Sequence, residues 1–366
     1  MKILFFIDGI TGGGAEKVLR TLVNNMDQSK FDITVHTLEE SDPAQYLAPG
    51  IRYKAINRRK TAFGKKLFHY WVRLCAEMKW LYPLYIRDDY DIEVAYLECG
   101  PTKILSSSTN KKAKKVAWLH CDLEKRGMAA PKKAKSWYDR YDSVVCVSET
   151  VKRSFHKVIG SRADTRILYN VNDEADILRK ATAFDVRKPE TVTFLTVGRL
   201  SYEKGNDRLL EACKMLKDAG HAFMLWLVGD GPERDALIRQ TSEYGLDDQV
   251  QFLGFQTNPY PYMCSADVIV TPSRYEGFST VVTEAMILGK PVVTTPCSGM
   301  DELLGDNEFG LITEDSVEGI YQGMKRMLED ADLREHYAKK AAIRGRDFSK
   351  EKLVKQTERF FEELLK

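Results

Sequence analysis

Two stretches decide the fold: Thr193-Phe-Leu-Thr-Val-Gly-Arg-Leu-Ser-Tyr-Glu-Lys-Gly205 and Val270-Thr-Pro-Ser-Arg-Tyr-Glu-Gly-Phe-Ser-Thr-Val-Val-Thr-Glu284. Each runs from a short apolar strand through a polar turn into a helix. Working outward, the same alternation continues. Strands are expected near 192–197, 222–228, 250–253, 267–271, 291–294 and 310–312, with helices starting near 205, 232, 279 and 316. An earlier series has strands near 2–7, 32–38, 92–97, 115–119, 143–147 and 166–169, with a helix over about 15–26. Such alternation predicts α/β architecture with parallel sheets. Two series predict two Rossmann-like, doubly wound domains, at 1–175 and 190–349. The charged stretch 176–189 has no long apolar pattern and reads as the linker.

The two stretches also carry chemistry. Arg199 and Lys204 place two cations just past the end of a strand. Glu276 and Glu284 follow the later strand, one on a loop and one on a helix. Glu284 lies among Val281, Val282, Ala285, Met286, Ile287 and Leu288, so it is expected to be buried. A buried carboxylate is costly unless it is paired or hydrogen-bonded, and a ribose diol would supply two donors. The helix starts near Ser279 and Thr280, where free N–H groups favour an anion. Gly277 and its neighbours allow close backbone approach. Cations for a diphosphate and carboxylates for sugar hydroxyls describe a nucleotide-sugar site. A surface Glu276 and a salt-bridged Glu284 form the plainer reading.

Composition bounds the alternatives. A chain of 366 residues with 43% hydrophobic content can bury two cores. No apolar run approaches bilayer-spanning length, and Ile3–Ile7 is too short for a signal-peptide core. Seven scattered cysteines form no C-x-x-C pair, which points to a reducing cytoplasm and to no zinc site. Charge is uneven. Residues 1–180 carry 32 Lys and Arg against 22 Asp and Glu, whereas the remainder carries 23 against 31. The basic half would meet something anionic.

Several motifs fail on inspection. Gly9-Ile-Thr-Gly-Gly-Gly14 lacks the Lys-Ser/Thr of a P-loop, and Lys17 stands where the dinucleotide fingerprint needs its last glycine. What remains is a small-residue loop at a helix start. Asp89-Tyr-Asp91 looks like a D-x-D metal motif but reads as a polar turn leading into a strand. His120 follows the strand Val116–Leu119 at the sheet edge where ligands of open α/β sheets collect. Residues 63–82 repeat Leu67, Trp71, Leu74, Met78 and Leu81 at helical spacing beside Lys65, Lys66, Arg73 and Lys79. They read first as a core helix, with a membrane-surface helix as the alternative. No nucleic-acid-binding module accompanies the charge.

The ordered set of motifs resembles the retaining glycosyltransferases of family 4, of GT-B fold. It comprises Gly12-Gly-Gly-Ala-Glu-Lys-Val-Leu19, Trp118-Leu-His-Cys-Asp122, Leu168-Tyr-Asn-Val-Asn-Asp173, Gly198–Gly205, Leu227-Val-Gly-Asp-Gly-Pro232, Val250–Gly254 and Glu276–Glu284. The resemblance implies two domains facing a central cleft, with the last helix, 350–366, crossing back onto the first. It implies catalytic roles for Arg199, Lys204, Glu276 and His120. Donor contacts would come from Gly13, Gly14, Gln256, Asn258, Gly277, Phe278, Ser279, Thr280 and Glu284, and an acceptor contact from Asp122. The implied reaction moves a hexose-type sugar from a nucleotide-diphosphate sugar, with UDP favoured, and needs neither cofactor nor metal. The acceptor would be a glycan on a polyprenyl diphosphate, used for surface polysaccharide at the inner face of the plasma membrane. A nucleotide-sugar epimerase of the same fold and a non-catalytic glycan- or membrane-binding protein are the alternatives.

Overall fold

The computed structural model describes residues 1–57, 80–128 and 130–366. The basic-aromatic segment 63–82 lies largely outside the described residues. Of it only Trp80 and the start of the helix Leu81–Tyr85 remain, with Leu81 buried and Trp80 exposed.

The chain divides into two units, residues 1–171 with 351–366, and residues 172–350. In the first, seven strands form one parallel sheet: β1 (Lys2–Ile7), β2 (Asp32–Glu39), β3 (Arg52–Asn57), β4 (Ile92–Ala95), β5 (Lys114–Leu119), β6 (Ser143–Cys146) and β7 (Asp164–Ile167). Their order is β3-β2-β1-β4-β5-β6-β7. The central strands are apolar throughout because helices cover both faces of such a sheet. In β1, five consecutive residues from Ile3 to Ile7 are fully buried. Strand order reverses between β1 and β4, so the loops after these two strands diverge and leave a crevice at their C-terminal ends.

The second unit repeats the plan with β8 (Thr193–Val197), β9 (Met224–Val228), β10 (Val250–Gly254), β11 (Val268–Thr271), β12 (Val292–Thr294) and β13 (Leu311–Ile312). Their order is β10-β9-β8-β11-β12-β13, all parallel. The reversal falls between β8 and β11, and these strands lead into the two stretches quoted at the outset.

Two features differ from the sequence reading. The stretch 176–189 is not all linker, since Glu174–Ala181 is a helix within the second unit. Asp173 caps it by accepting from Asp176 N, and Ile177 and Ala181 are buried. Only two apolar positions one turn apart face inward, so the charged outer face hid the periodicity. Strand β3 was also missed. It is an edge strand paired only with β2, and its Arg52 and Lys54 break the apolar pattern.

The last helix, Lys350–Leu364, packs on the first unit. Phe361 is fully buried and meets Phe5 edge-on at 5.9 Å between ring centroids, and Glu358 accepts a hydrogen bond from Asp27 N at 2.7 Å. No helix among the described residues is long and apolar enough to cross a membrane.

Candidate functional site

In the second unit, the loops after β8 and β11 meet at the switch point and are fastened together. Lys204 Nζ donates to Glu276 Oε1 at 2.6 Å, and Ser273 Oγ donates to the same oxygen at 2.8 Å. Arg274 grips Asp207 with both terminal nitrogens, at 2.7 and 2.6 Å. It also stacks on Tyr202 with 4.1 Å between guanidinium carbon and ring centroid. Its backbone N–H reaches Glu203 O at 2.8 Å, and Arg208 donates to Pro272 O at 2.9 Å. Glycine is needed at this junction. Gly205 has φ +66°, and a Cβ there would lie 2.1 Å from Pro272 O.

A pocket opens beside this junction, lined by Thr196, Gly198, Lys204, Ser273, Glu276 and Ser279. Burial works against the Lys204 ammonium, but the charge of Glu276 and their hydrogen bond outweigh it and hold its pKa above the ordinary lysine value. The pocket therefore keeps a cation and a carboxylate in contact. Asn206, 2% exposed, adds a buried amide oxygen with no partner among the described residues. The helix Thr280–Ile287 starts at the pocket rim, where Ser279 caps it by accepting from Val282 N. Its first N–H groups have no intrahelical acceptor.

The sequence-predicted residues are not all brought together. Lys204, Glu276 and Ser279 share the pocket. Thr280 begins the helix beside them, and Gly277 and Phe278 lead into it, with the Phe278 ring turned onto Phe348 at 5.8 Å. Arg199 lies exposed, with Glu203 as a charged neighbour. Glu284 is 4% exposed, as its apolar helix implies, with the Tyr260 hydroxyl 3.4 Å from its Oε1. It belongs to a second patch after β10. There Asn258 accepts from Tyr260 N and donates to Lys180 O at 2.9 Å, closing the C-terminal end of the helix Glu174–Ala181. Gln256 donates to Leu253 O at 2.7 Å. The side-chain amides of both predicted contacts thus bond to backbone carbonyls.

The first unit builds a different site at its own switch point. His120 follows β5, and its backbone N–H donates to Glu98 Oε2 at 3.2 Å. Glu98, on the loop after β4, also accepts from Arg126 at 2.6 Å and is only 9% exposed. Burial works against the Glu98 carboxylate, but the charge of His120 and hydrogen bonds from Cys121 and the backbone outweigh it and lower its pKa. Burial pushes His120 down to about 4 against the pull of Glu98. At neutral pH the pair is a carboxylate beside a neutral imidazole.

Two expectations change here. Asp122 is not open toward an acceptor, because its Oδ1 caps the turn Leu123–Arg126, accepting from Glu124 N, Lys125 N and, at 2.7 Å, Ser154 Oγ. Gly13 and Gly14 do begin the first helix, Gly14–Asn25, but the Glu16 carboxylate folds back over its start. A Cβ on Gly13 would lie 1.9 Å from Glu16 Oε2. An anion at that helix start would have to displace it. Of the basic cluster on this unit, Lys114 and Lys115 open β5, Lys111 and Lys112 lie just before it, and His120 follows the other end of this six-residue strand. About 20 Å of strand separates them, at roughly 3.3 Å per residue.

Glu98 and Arg126 escaped the sequence reading. They are 28 positions apart, and Glu98 follows an apolar strand with no motif around it. The one available signal was position: a carboxylate just past the end of a central strand.

Known proteins share this fold. Residues 12–175 match the model described as Glycosyltransferase Family 4, and residues 179–344 match Glycosyl transferases group 1. A Campylobacter jejuni protein is 38% identical over 191 residues, 52% of this chain and 51% of that protein. It is named N-acetylgalactosamine-N,N'-diacetylbacillosaminyl-diphospho-undecaprenol 4-alpha-N-acetylgalactosaminyltransferase. The matched stretch thus spans about half of that relative's length. The amylovoran biosynthesis glycosyltransferase AmsD of Erwinia amylovora is 24% identical, with 97% of this chain and 98% of that protein covered. Among solved structures, Anabaena Alr3699/HepE in complex with UDP and glucose superposes with a TM-score of 0.78. It is 23% identical, over 99% of this chain and 100% of that one. This likeness establishes the fold. With the two models matching consecutive halves, the chain belongs to the GT-B glycosyltransferases of the family 4 type.

Proposed function

We propose that the protein is a retaining, metal-independent glycosyltransferase. It would move a hexose-type sugar from a nucleotide-diphosphate sugar, with UDP favoured, to a glycan carried on a polyprenyl diphosphate. The observation that carries this reading is the Lys204–Glu276 contact at the switch point, beside a helix start. Lys204 and Arg199 would stabilise charge developing on the departing diphosphate, with the first N–H groups of the helix Thr280–Ile287 adding to it. Charge placed in advance at a leaving group is the largest common source of rate enhancement. Glu276 would hold donor-sugar hydroxyls and Glu284 the ribose. His120 would meet the donor sugar as a neutral imidazole. With no carboxylate among the described residues assigned as a nucleophile, the leaving phosphate oxygen would accept the acceptor's proton on the same face, retaining the anomeric configuration.

The HepE structure contains UDP and glucose, and the Campylobacter relative's name includes an undecaprenyl-diphosphate acceptor. Both support the substrate classes. Peripheral attachment to the inner face of the plasma membrane follows from a lipid-linked acceptor and the basic first half. The test is incubation with UDP-glucose, UDP-galactose and their N-acetylated forms, with and without a polyprenyl-diphosphate saccharide, in excess chelator. Transfer with an axial donor bond kept axial is expected. An inverted product, a strict need for Mg²⁺ or Mn²⁺, or epimerised donor without transfer would overturn the reading.

A further inference from the structure

The first unit's switch point holds an ion pair between a buried carboxylate and a half-exposed guanidinium, with no role in the reaction outlined above. Glu98 reaches from the loop after β4 to the segment after β5. One oxygen takes the His120 backbone N–H at 3.2 Å, and the other takes Arg126 at 2.6 Å. Arg126 also lies 3.4 Å from Cys121 Sγ. The backbone is strained beside it. Cys99 has φ +66° and ψ −98°, a region that a residue with a side chain rarely adopts. Such strain persists only where the surroundings enforce it, and it gathers at functional sites.

The imidazole itself is held by aromatic rings. Tyr96 lies 4.8 Å from the His120 ring, and Trp118 stacks on it at 6.4 Å and 11°. The His120 Nε2 is buried without a hydrogen-bond partner among the described residues, as are the Tyr96 hydroxyl and Trp118 Nε1. Buried polar atoms are normally satisfied, so an unpaired Nε2 points to a group supplied from outside the chain.

We propose that Glu98 is a positioning residue for His120: anchored by Arg126, it fixes the main chain of His120 so that the imidazole is presented to substrate. The proposal rests on the reading of His120 as a residue that meets the donor sugar. A surface ion pair would contribute little; here the Glu98 carboxylate is buried, the Arg126 guanidinium is about half exposed, and the pair joins the loop after β4 to the segment after β5. Removing Arg126 takes from the buried Glu98 carboxylate a charge partner that water does not replace. Other charged or titratable groups face Glu98: Glu16 from the first helix, Cys99 from its own loop, Cys121 from the segment after β5, and Tyr138 from the helix Pro131–Tyr138.

Two readouts test this on the full-length protein. The first is titration of the His120 ring by NMR, with the signal assigned among six histidines by comparison with His120→Gln. In Glu98→Gln the midpoint should drop below that of the wild type, because a favourable negative charge is lost. The second is turnover of whichever UDP-sugar the wild type accepts. Glu98→Gln should lower kcat at least tenfold with donor KM little changed, since a misplacement of about 1 Å can cost on the order of 10²-fold. Arg126→Ala should reproduce that loss, Arg126→Lys should recover part of it, and the double variant should lose no more than either single one. UDP binding should stay at the wild-type level in all of them, because its site is in the other unit, and a wild-type melting curve reports that the first unit stays folded. An unchanged His120 midpoint in Glu98→Gln, or full turnover in it, overturns the proposal. If the wild type transfers from no donor, the reading of His120 as a substrate contact fails, and the titration alone decides whether Glu98 governs His120.

Discussion

The two switch points share a topology and differ in chemistry. In the second unit the crevice is lined by a cation touching a carboxylate, with the loops around it fastened by Arg274, Asp207 and Arg208. In the first, a carboxylate sits beside a neutral imidazole, and the strain is carried by Cys99. The second arrangement suits an anionic ligand with hydroxyls near it. The first suits a neutral polar group. Parallel sheets supply the place, and the residues on the two loops decide what is bound there.

The sharpest way to break this contrast is to remove the cation. Lys204→Ala should lower turnover by roughly 10²–10³, about 3–4 kcal/mol of transition-state stabilisation, as for loss of a preorganised charge partner. Arg199→Ala should follow in the same direction, since Arg199 is exposed and less committed within the protein. Steady-state rates on protein checked for a normal melting curve decide both.

Next is the fastening. Arg274→Ala removes a two-pronged grip on Asp207 and should destabilise the second unit by about 1–2 kcal/mol. Turnover should fall with it, because Lys204 and Glu276 stand on the two loops it joins. Arg274→Lys should recover little, since an ammonium cannot hold both carboxylate oxygens in the same fork. Thermal melts of the three proteins measure this. Unchanged melting in Arg274→Ala would show that the loops hold without it.

The first unit should be the acid-sensitive one. His120 is held near 4 in the folded protein, below its usual 6.5. Between these values the unfolded chain binds a proton that the folded chain does not. The His120 contribution to stability should therefore fall as pH drops from about 6.5 and level off below about 4, while protonation of Glu98, whose pKa is lowered, adds a further loss at lower pH. His120→Gln should flatten this dependence. Chemical denaturation at a series of pH values checks it, and equal slopes in both proteins would contradict it.

The effect with least bearing on turnover concerns the start of β5. Replacing Lys111, Lys112, Lys114 and Lys115 with Gln should weaken binding to anionic vesicles at low salt, by up to about 1 kcal/mol per lysine near the surface. Turnover of a water-soluble acceptor should not change, because these residues lie a strand's length from His120. Vesicle sedimentation and soluble-acceptor rates separate the two. Equal vesicle binding would make the basic face a solvated surface.

What was legible in the sequence follows from how residues are gathered. Lys204, Glu276 and the helix start at Ser279 come from two short segments, each a strand, a turn and a helix in direct succession, so spacing alone placed them. The burial of Glu284 was legible too, because most of its helix neighbours are apolar. Glu98 with Arg126 was not, because a pair 28 positions apart leaves no local pattern. The capping role of Asp122 was hidden for the opposite reason. A carboxylate before a four-residue turn reads equally as a cap and as a ligand contact, and only Ser154, 32 positions on, settles which it is. Gln256 and Asn258 took their expected role from the resemblance, whereas their amides here bond to Leu253 O and Lys180 O.

The central claim is that the second unit's switch point binds a nucleoside diphosphate. Calorimetry with UDP tests it most directly, on the wild type and on Lys204→Ala and Glu284→Gln. Saturable binding by the wild type, weakened at least tenfold in each variant, is the predicted result. No binding of UDP, or undiminished affinity in both variants, would contradict the account.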